Sequence, residues 1–351
     1  MRPRGRPELA DLTPYKTSDQ QGGQGGRIFL HANENPYPPP DEVTDEIFAV
    51  ARKHSLNRYP SPATELVAEL ASYAGVDESQ IWIGDGSNEV LLQACLAYGG
   101  PGRTAMLFEP TYRMHHRQAR MAGTQVIEAR REGDFGIDPY EAVDAIEGSG
   151  PDIVFVCSPN NPTGTVTPLD DIERIARAAP GLVIVDEAYF EFAGEGFVER
   201  LEGFDNVLVV RTLSKAFRLA SVRLGYGIAS PALLEEMRRV RMPYAQSAFT
   251  QAAATVAVRR REQLLDVVPT IVAERERIAT ALSASSEVYP SGANFVLFRH
   301  PRAQALLDAL AAREIVIRDF RSLPGCEGCL RVSVGTPEEN DGFLEALSSI
   351  H

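Results

Sequence analysis

A lysine and an acid, each closing an apolar run, are the residues with the clearest chemical content in this 351-residue chain. Lys215 follows Val207-Leu-Val-Val210, and Asp186 ends Leu182-Val-Ile-Val-Asp186. Runs of this length and β-branched content suit buried parallel strands, and open α/β sheets bind ligands at the carboxyl ends of such strands. The two residues stand about one strand-helix-strand unit apart. A lysine forms an imine with a carbonyl cofactor only as the free amine, which burial and nearby cations favour, and Arg211 and Arg223 are close enough in sequence to contribute. An acid beside the ring nitrogen of such a cofactor keeps that nitrogen protonated, so that the ring accepts carbanion electrons. Taken alone, Lys215 also reads as an ordinary surface lysine; the pairing with Asp186 gives it chemical sense.

Further motifs follow one another along the chain: Asn33-Glu-Asn-Pro36, Asn57-Arg-Tyr-Pro60, Gly86-Ser-Asn-Glu89, Pro110-Thr-Tyr112, Ser158-Pro-Asn-Asn-Pro-Thr-Gly164, Asp186-Glu-Ala-Tyr189, Ser214-Lys215 and Leu330-Arg-Val-Ser-Val-Gly335. With these motifs, from about Asn33 to the C-terminus, the sequence resembles the histidinol-phosphate aminotransferases, a branch of the class II, fold type I aminotransferases that use pyridoxal 5′-phosphate (PLP). The resemblance implies that Lys215 carries the cofactor and moves the substrate proton, that Asp186 meets the ring nitrogen, and that Tyr189 and Asn161 bind the phenolic oxygen. It implies that Tyr112 stacks on the ring and that Gly86, Ser87, Asn88, Thr212, Ser214 and Arg223 hold the phosphate. Tyr59 would reach the cofactor phosphate of a second subunit, making a homodimer obligatory.

For the substrate, the resemblance implies contacts from Asn33, Asn161 and Arg331, the last at the position that binds the α-carboxylate in the wider family. Histidinol phosphate has no carboxylate, so its phosphate takes that place, and two guanidinium groups match a dianion better than one. Arg318 supplies the second; an ion pair with Asp319 or another acid is its structural alternative. The reaction implied is transamination of L-histidinol phosphate with 2-oxoglutarate. An aromatic amino-acid aminotransferase and a PLP decarboxylase of a phosphorylated amino acid are the alternatives on the same scaffold. The chain has Arg218 and Ser221 where many relatives have a small residue and glycine; Arg218 either faces solvent or a partner's acid, or alters the mouth of the site.

The elements that must position these residues read as an α/β fold, a mostly parallel central sheet flanked by helices, with a smaller α/β domain. Residues 1–26, arginine- and then Gly/Gln-rich, read as a mobile arm. Residues 27–60 form an N-terminal segment joining the small domain, 61–265 the large PLP-binding domain, and 266–351 the small C-terminal domain. Helices are expected from about Asp41 to His54, Ser61 to Ala74, Val90 to Ala97, Ala232 to Arg241, Gln246 to Arg261 and Arg302 to Arg313, with a helical stretch around Pro269 to Ala284. Gly84 and Gly86 precede a helix start, where backbone N–H groups and the helix dipole can meet a phosphate. Strands near 182–186, 207–211 and 224–229 complete the sheet, and Ile315–Asp319 and Leu330–Val334 lie in the small domain.

Composition narrows the class. The chain is 44% hydrophobic and 24% charged, as in an ordinary globular enzyme. Its net charge of −13 argues against a nucleic-acid partner and leaves anionic ligands to local arginines. No apolar run approaches a membrane span or follows the arginines as a signal peptide would require, so a cytoplasmic location is the expectation. Of the four cysteines, Cys326 and Cys329 form a Cys-x-x-Cys pair without the second pair of a structural zinc site, and no metal is expected. A dinucleotide-binding Gly-x-Gly-x-x-Gly between a strand and a helix is also absent, which disfavours a nicotinamide dehydrogenase. The Gly-rich arm cannot supply the helix-turn-helix domain of an aminotransferase-like regulator.

Overall fold

Near-continuous apolar runs account for the centre of the molecule, because a strand covered on both faces has no polar side to present. The computed structural model describes residues 5, 6, 9, 12, 14 and 26–350, so the arm expected over 1–26 lies almost wholly outside the described residues. Strand β1 (Ile28–Leu30) belongs to a five-stranded sheet. Strands β2 (Ile81–Asp85), β3 (Thr104–Glu109), β4 (Gln125–Arg130), β5 (Ile153–Cys157), β6 (Leu182–Asp186), β7 (Val207–Thr212) and β8 (Leu224–Ile228) form a seven-stranded sheet in the order β2-β8-β7-β6-β5-β3-β4. Strands β9 (Glu287–Val288), β10 (Phe295–Arg299), β11 (Ile315–Asp319) and β12 (Cys329–Ser333) complete the smaller sheet, ordered β1-β11-β12-β10-β9.

Strands β5 to β8 are buried at every position, whereas the edge strand β4 exposes Gln125, Glu128 and Arg130. The larger sheet is parallel except for β8, which runs antiparallel to both β2 and β7. A parallel return needs a crossover of a dozen or more residues, and the link between β7 and β8 contains only the short 3₁₀ turn Ala220–Val222. The chain therefore doubles back, and Lys215 lies on that return loop. Likewise, the connection from β6 to β7 holds only the one-turn helix Phe190–Ala193 and a 3₁₀ turn, not the full crossover helix expected.

One face of the large sheet packs Met106, Val154, Val183 and Val209 with the helices Thr64–Ala74, Leu169–Ala178 and Ala248–Arg259. The other packs Leu107, Phe155, Ile184 and Leu208 with Val90, Leu91 and Cys95 of the helix Ser87–Tyr98. Each such buried side chain contributes about 1.5–3 kcal/mol relative to exposure. In the smaller sheet, β1 pairs with β11 in parallel, while the helix Asp41–Ala51 further along the same segment packs on Ala248–Arg259 beside the large sheet. No helix among the described residues is long and apolar enough to cross a membrane.

Candidate active site

The sheet order reverses between β3 and β5, because β3 is followed by β4 on one side and β5 lies on the other. Crevices at such switch points, beyond the carboxyl ends of the strands, are where open α/β sheets take ligands. The sequence-named residues stand there in turn: Tyr112 beyond β3, Asn161 beyond β5, Asp186 ending β6, and Lys215 beyond β7.

Lys215 is part-buried, and its Nζ donates to the carbonyl of Ala32 at 3.1 Å. Burial first, and then the charges of Arg331 and Arg223, lower its pKa from 10.5 to about 8, against the opposing pull of Glu34. The loop is held from outside by Asn35, whose amide donates to the carbonyls of Lys215 (3.3 Å) and Ala216 (3.2 Å). Arg211, expected to help lower the lysine pKa, instead forms a buried ion pair with Glu187 at 2.8 Å. Arg218 also differs from expectation. Its side chain is only 5% exposed, pairs with Asp266 and donates to the carbonyl of Pro38 at 3.2 Å, so it does not face solvent. Ser221 is exposed in the 3₁₀ turn before Arg223.

Asp186 is buried, with Oδ1 accepting from the Ala188 N–H at 3.1 Å and Oδ2 bonded to His115 Nε2 at 2.8 Å. His115 is fully buried and stacks on Phe155 at 4.7 Å between centroids, so its ring is fixed against the carboxylate. Sequence reasoning missed it. The available signal was its place one helical turn beyond Tyr112, where the helix Arg113–Ala122 carries it back over the strand ends. Cys157 lies opposite Asp186 in the β5/β6 register, and donor atoms of His115, Cys157 and Asp186 fall within 4.8 Å of one another. Burial, followed by the Asp186 charge, pushes the Cys157 thiol well above its usual range. His115 and Asp186 form an oriented, buried carboxylate–imidazole pair.

Opposite the lysine, Tyr189 is buried and its hydroxyl accepts from Asn33 Nδ2 at 2.9 Å and Asn161 Nδ2 at 3.3 Å. Burial raises its pKa above the ordinary tyrosine value. Asn33 adopts φ 54° and is itself fixed by Ser333, with bonds of 2.9 Å to its N–H and 3.0 Å to its Oδ1. Asn161 Oδ1 accepts from Arg331 at 2.5 Å, so the loop after β5, the loop after β6 and strand β12 meet at one point.

Gly86 precedes the helix Ser87–Tyr98, whose first turn carries no side-chain cap. At φ 75° it occupies a conformation that disfavours L side chains, and an added Cβ would lie 2.4 Å from Arg223 Nη2. Arg223 also bends through a positive φ, with its Nη1 at 3.5 Å from Ser214 Oγ; Ser214 Oγ in turn lies 3.0 Å from Thr212 Oγ1. Free helical N–H groups, a guanidinium and two hydroxyls around a glycine that leaves room for them form a cradle for a phosphate. Tyr112 borders it, its hydroxyl at 3.4 Å from Asn88 Oδ1. Tyr59 is not drawn into this arrangement: it is 77% exposed and stacks on Tyr244 at 4.3 Å.

The two arginines expected to meet the substrate are cross-strand partners, Arg318 opposite Arg331 in the antiparallel β11/β12 register. Directly opposed residues point to the same face of a sheet, and like charges so placed destabilise it. Arg331 Nη2 is anchored on the carbonyl of His31 at 2.8 Å. Asp319, the acid next to Arg318 in sequence, is bound by Arg321 at 2.8 Å. Cys326 and Cys329 are free, buried thiols packed with Phe135, Tyr289 and Leu297.

With a lysine, an acid and a phosphate cradle at the switch point, the chain is matched over residues 27–347 by the family profile of aminotransferase class I and II, and it belongs to that family. Its relatives are specific. It is 46% identical over 340 residues to the histidinol-phosphate aminotransferase of Corynebacterium glutamicum strain R, covering 92% of this chain and 91% of the relative. The histidinol-phosphate aminotransferase of Thermobifida fusca strain YX is likewise 46% identical over 331 residues, covering 92% and 89%. Among solved structures, that of the Sinorhizobium meliloti histidinol-phosphate aminotransferase in complex with pyridoxal 5′-phosphate matches with a TM-score of 0.88 at 26% identity, covering 99% of this chain and 98% of the other. The expected fold type I architecture is the one the chain adopts.

Proposed function

We propose that this chain is a PLP-dependent transaminase of histidine biosynthesis, moving the amino group of L-histidinol phosphate to 2-oxoglutarate to give imidazole acetol phosphate and L-glutamate. The residues around Lys215 fit the cofactor: Gly86, Ser87, Asn88, Thr212, Ser214 and Arg223 hold its phosphate, Tyr112 covers its ring, Asp186 meets its ring nitrogen, and Asn161 and Tyr189 meet its phenolic oxygen. When bound, the cofactor supplies the carbonyl that accepts the amino group and the ring that accepts the electrons of the broken Cα–H bond. Lys215 Nζ, as free amine, takes the proton from the donor's Cα. His115 holds Asp186 in place, and Asn33 orients Tyr189.

The observation that carries the substrate assignment is the opposed pair Arg318 and Arg331. An anion at that face turns an unfavourable pair into two sets of charge-assisted hydrogen bonds, and a phosphate dianion gains more from both than a carboxylate does. Arg318→Ala is therefore expected to lower kcat/KM for histidinol phosphate by about 10- to 100-fold, the loss of one to two charge-assisted bonds, with a much smaller effect on phenylalanine or glutamate. Steady-state assays with all three donors check this, and equal losses would leave Arg318 a structural residue.

The active form is proposed to be a cytoplasmic homodimer, with Tyr59 reaching the partner's cofactor phosphate. Tyr59 is exposed, as are Phe48, Leu56, Met242, Tyr244 and Phe249, and Tyr59 stacks on Tyr244 at 4.3 Å between centroids. Mixing inactive Lys215→Ala subunits with weakened Tyr59→Phe subunits should restore activity, since one of the two shared sites then has both native groups. No recovery after verified subunit exchange contradicts the crossing.

A further inference from the structure

We propose that Arg113 is a third guanidinium of the substrate site, one that selects amino donors bearing a phosphate monoester over those bearing a carboxylate. The inference rests on the proposed function in taking the Arg318 and Arg331 face as the anion site. Arg113 begins the helix Arg113–Ala122, immediately after the ring-covering Tyr112. It shares with Arg318, Asp319 and Phe320 the walls of a cavity of about 180 Å³. The Phe320 ring lies against the Arg331 guanidinium at 5.1 Å, so this cavity adjoins the inner arginine of the pair.

The one acid lining the cavity, Asp319, is already paired. Asp319 is engaged by Arg321, whose Nε lies 3.0 Å from Oδ1 and Nη2 2.8 Å from Oδ2. Among the described residues, neither the Arg113 nor the Arg318 side chain makes a hydrogen bond or ion pair. Arg113 also stands at the positive end of a helix dipole, where a cation is disfavoured. Arg113, which is exposed, and Arg318, which is half-buried, line the cavity without a protein partner, so an anion that arrives with the substrate can meet both. A carboxylate offers one charge and two oxygens, which Arg331 can meet with the N–H groups that Asn161 and His31 leave over. A phosphate monoester offers a second charge and a third terminal oxygen, and Arg113 and Arg318 are the donors left for them.

Arg113→Gln tests this. Its KM for histidinol phosphate should rise about 5- to 10-fold, as for one solvent-accessible charge contact, with kcat little changed and kcat/KM for glutamate altered far less. Added KCl should raise the KM of the parent enzyme for histidinol phosphate more steeply than that of the variant, and Arg113→Lys should recover part of the loss. Parallel losses for glutamate and histidinol phosphate, or no change in either, would overturn the assignment. If the parent enzyme does not accept histidinol phosphate, the proposed function itself fails, and Arg113 is then judged separately by competition of inorganic phosphate against glutamate. A weaker inhibition constant in Arg113→Gln sustains the anion role, and an unchanged one ends it.

Discussion

Lys215→Ala is expected to lower transamination by about 10⁴-fold or more, because it removes both the attachment amine and the base that moves the Cα proton. The fold should survive, since the side chain makes one hydrogen bond, to the carbonyl of Ala32. The chain has three lysines, Lys16, Lys53 and Lys215, so borohydride reduction of the PLP-loaded enzyme and peptide mapping gives an unambiguous answer. The label should fall on Lys215 alone. The pH dependence has a definite sign. With the pKa lowered to about 8, the free amine becomes the majority form above about pH 8. Capture of PLP by the apoenzyme should therefore accelerate up to about pH 8 and then level, whereas an unshifted lysine would keep accelerating towards 10.5, its ordinary value. Labelling of Lys16 or Lys53, or a profile still rising above pH 10, contradicts the assignment.

Asp186→Asn is expected to lower kcat by about 10²- to 10⁴-fold, the range for losing a preorganised charge at a reacting centre. Asparagine fills the same volume and can still bond His115, so folding and some cofactor binding should persist. What is lost is the carboxylate charge proposed to meet the ring nitrogen. Near-native turnover in this variant would remove Asp186 from the chemistry and leave the His115 contact a packing interaction. The two variants separate by mechanism: Lys215→Ala should not form a reducible adduct at that position, whereas Asp186→Asn should form one and turn it over slowly.

Much of the sheet was legible because its strands are buried on both faces, and Val207–Val210 or Leu182–Val185 allow few other readings. The direction of β8 was not legible, since it depends on how short the β7–β8 link is rather than on the strand's own residues. The stretch from Arg113 to Asp152 received no elements from sequence, yet it forms two helices and strand β4; the exposed, polar faces of β4 and of Arg113–Ala122 hide the apolar pattern. In the site, Tyr112, Asn161, Asp186 and Lys215 stand at or beyond the carboxyl ends of their strands, because short loops there leave little freedom, whereas Tyr59 stands apart from them. Contacts between distant segments were not readable: His115 on Asp186, Asn35 on the lysine loop, and Arg218 on Asp266 each join stretches that only folding brings together. The fate of Arg318 turned on a local detail. Asp319 caps the turn, accepting from the Arg321 N–H at 2.9 Å as well as from its guanidinium, and so is not available to its sequence neighbour.

The account rests on the donor that the opposed arginines select, and one comparison tests it most directly: kcat/KM of the PLP-loaded enzyme for L-histidinol phosphate and for L-phenylalanine, each with 2-oxoglutarate and with L-glutamate and carbon dioxide both quantified. We expect a strong preference for histidinol phosphate, one glutamate formed per donor consumed and no carbon dioxide. A preference for phenylalanine would make the protein an aromatic aminotransferase, and carbon dioxide released from a phosphorylated amino acid without consumption of 2-oxoglutarate would make it a decarboxylase; either result contradicts the account.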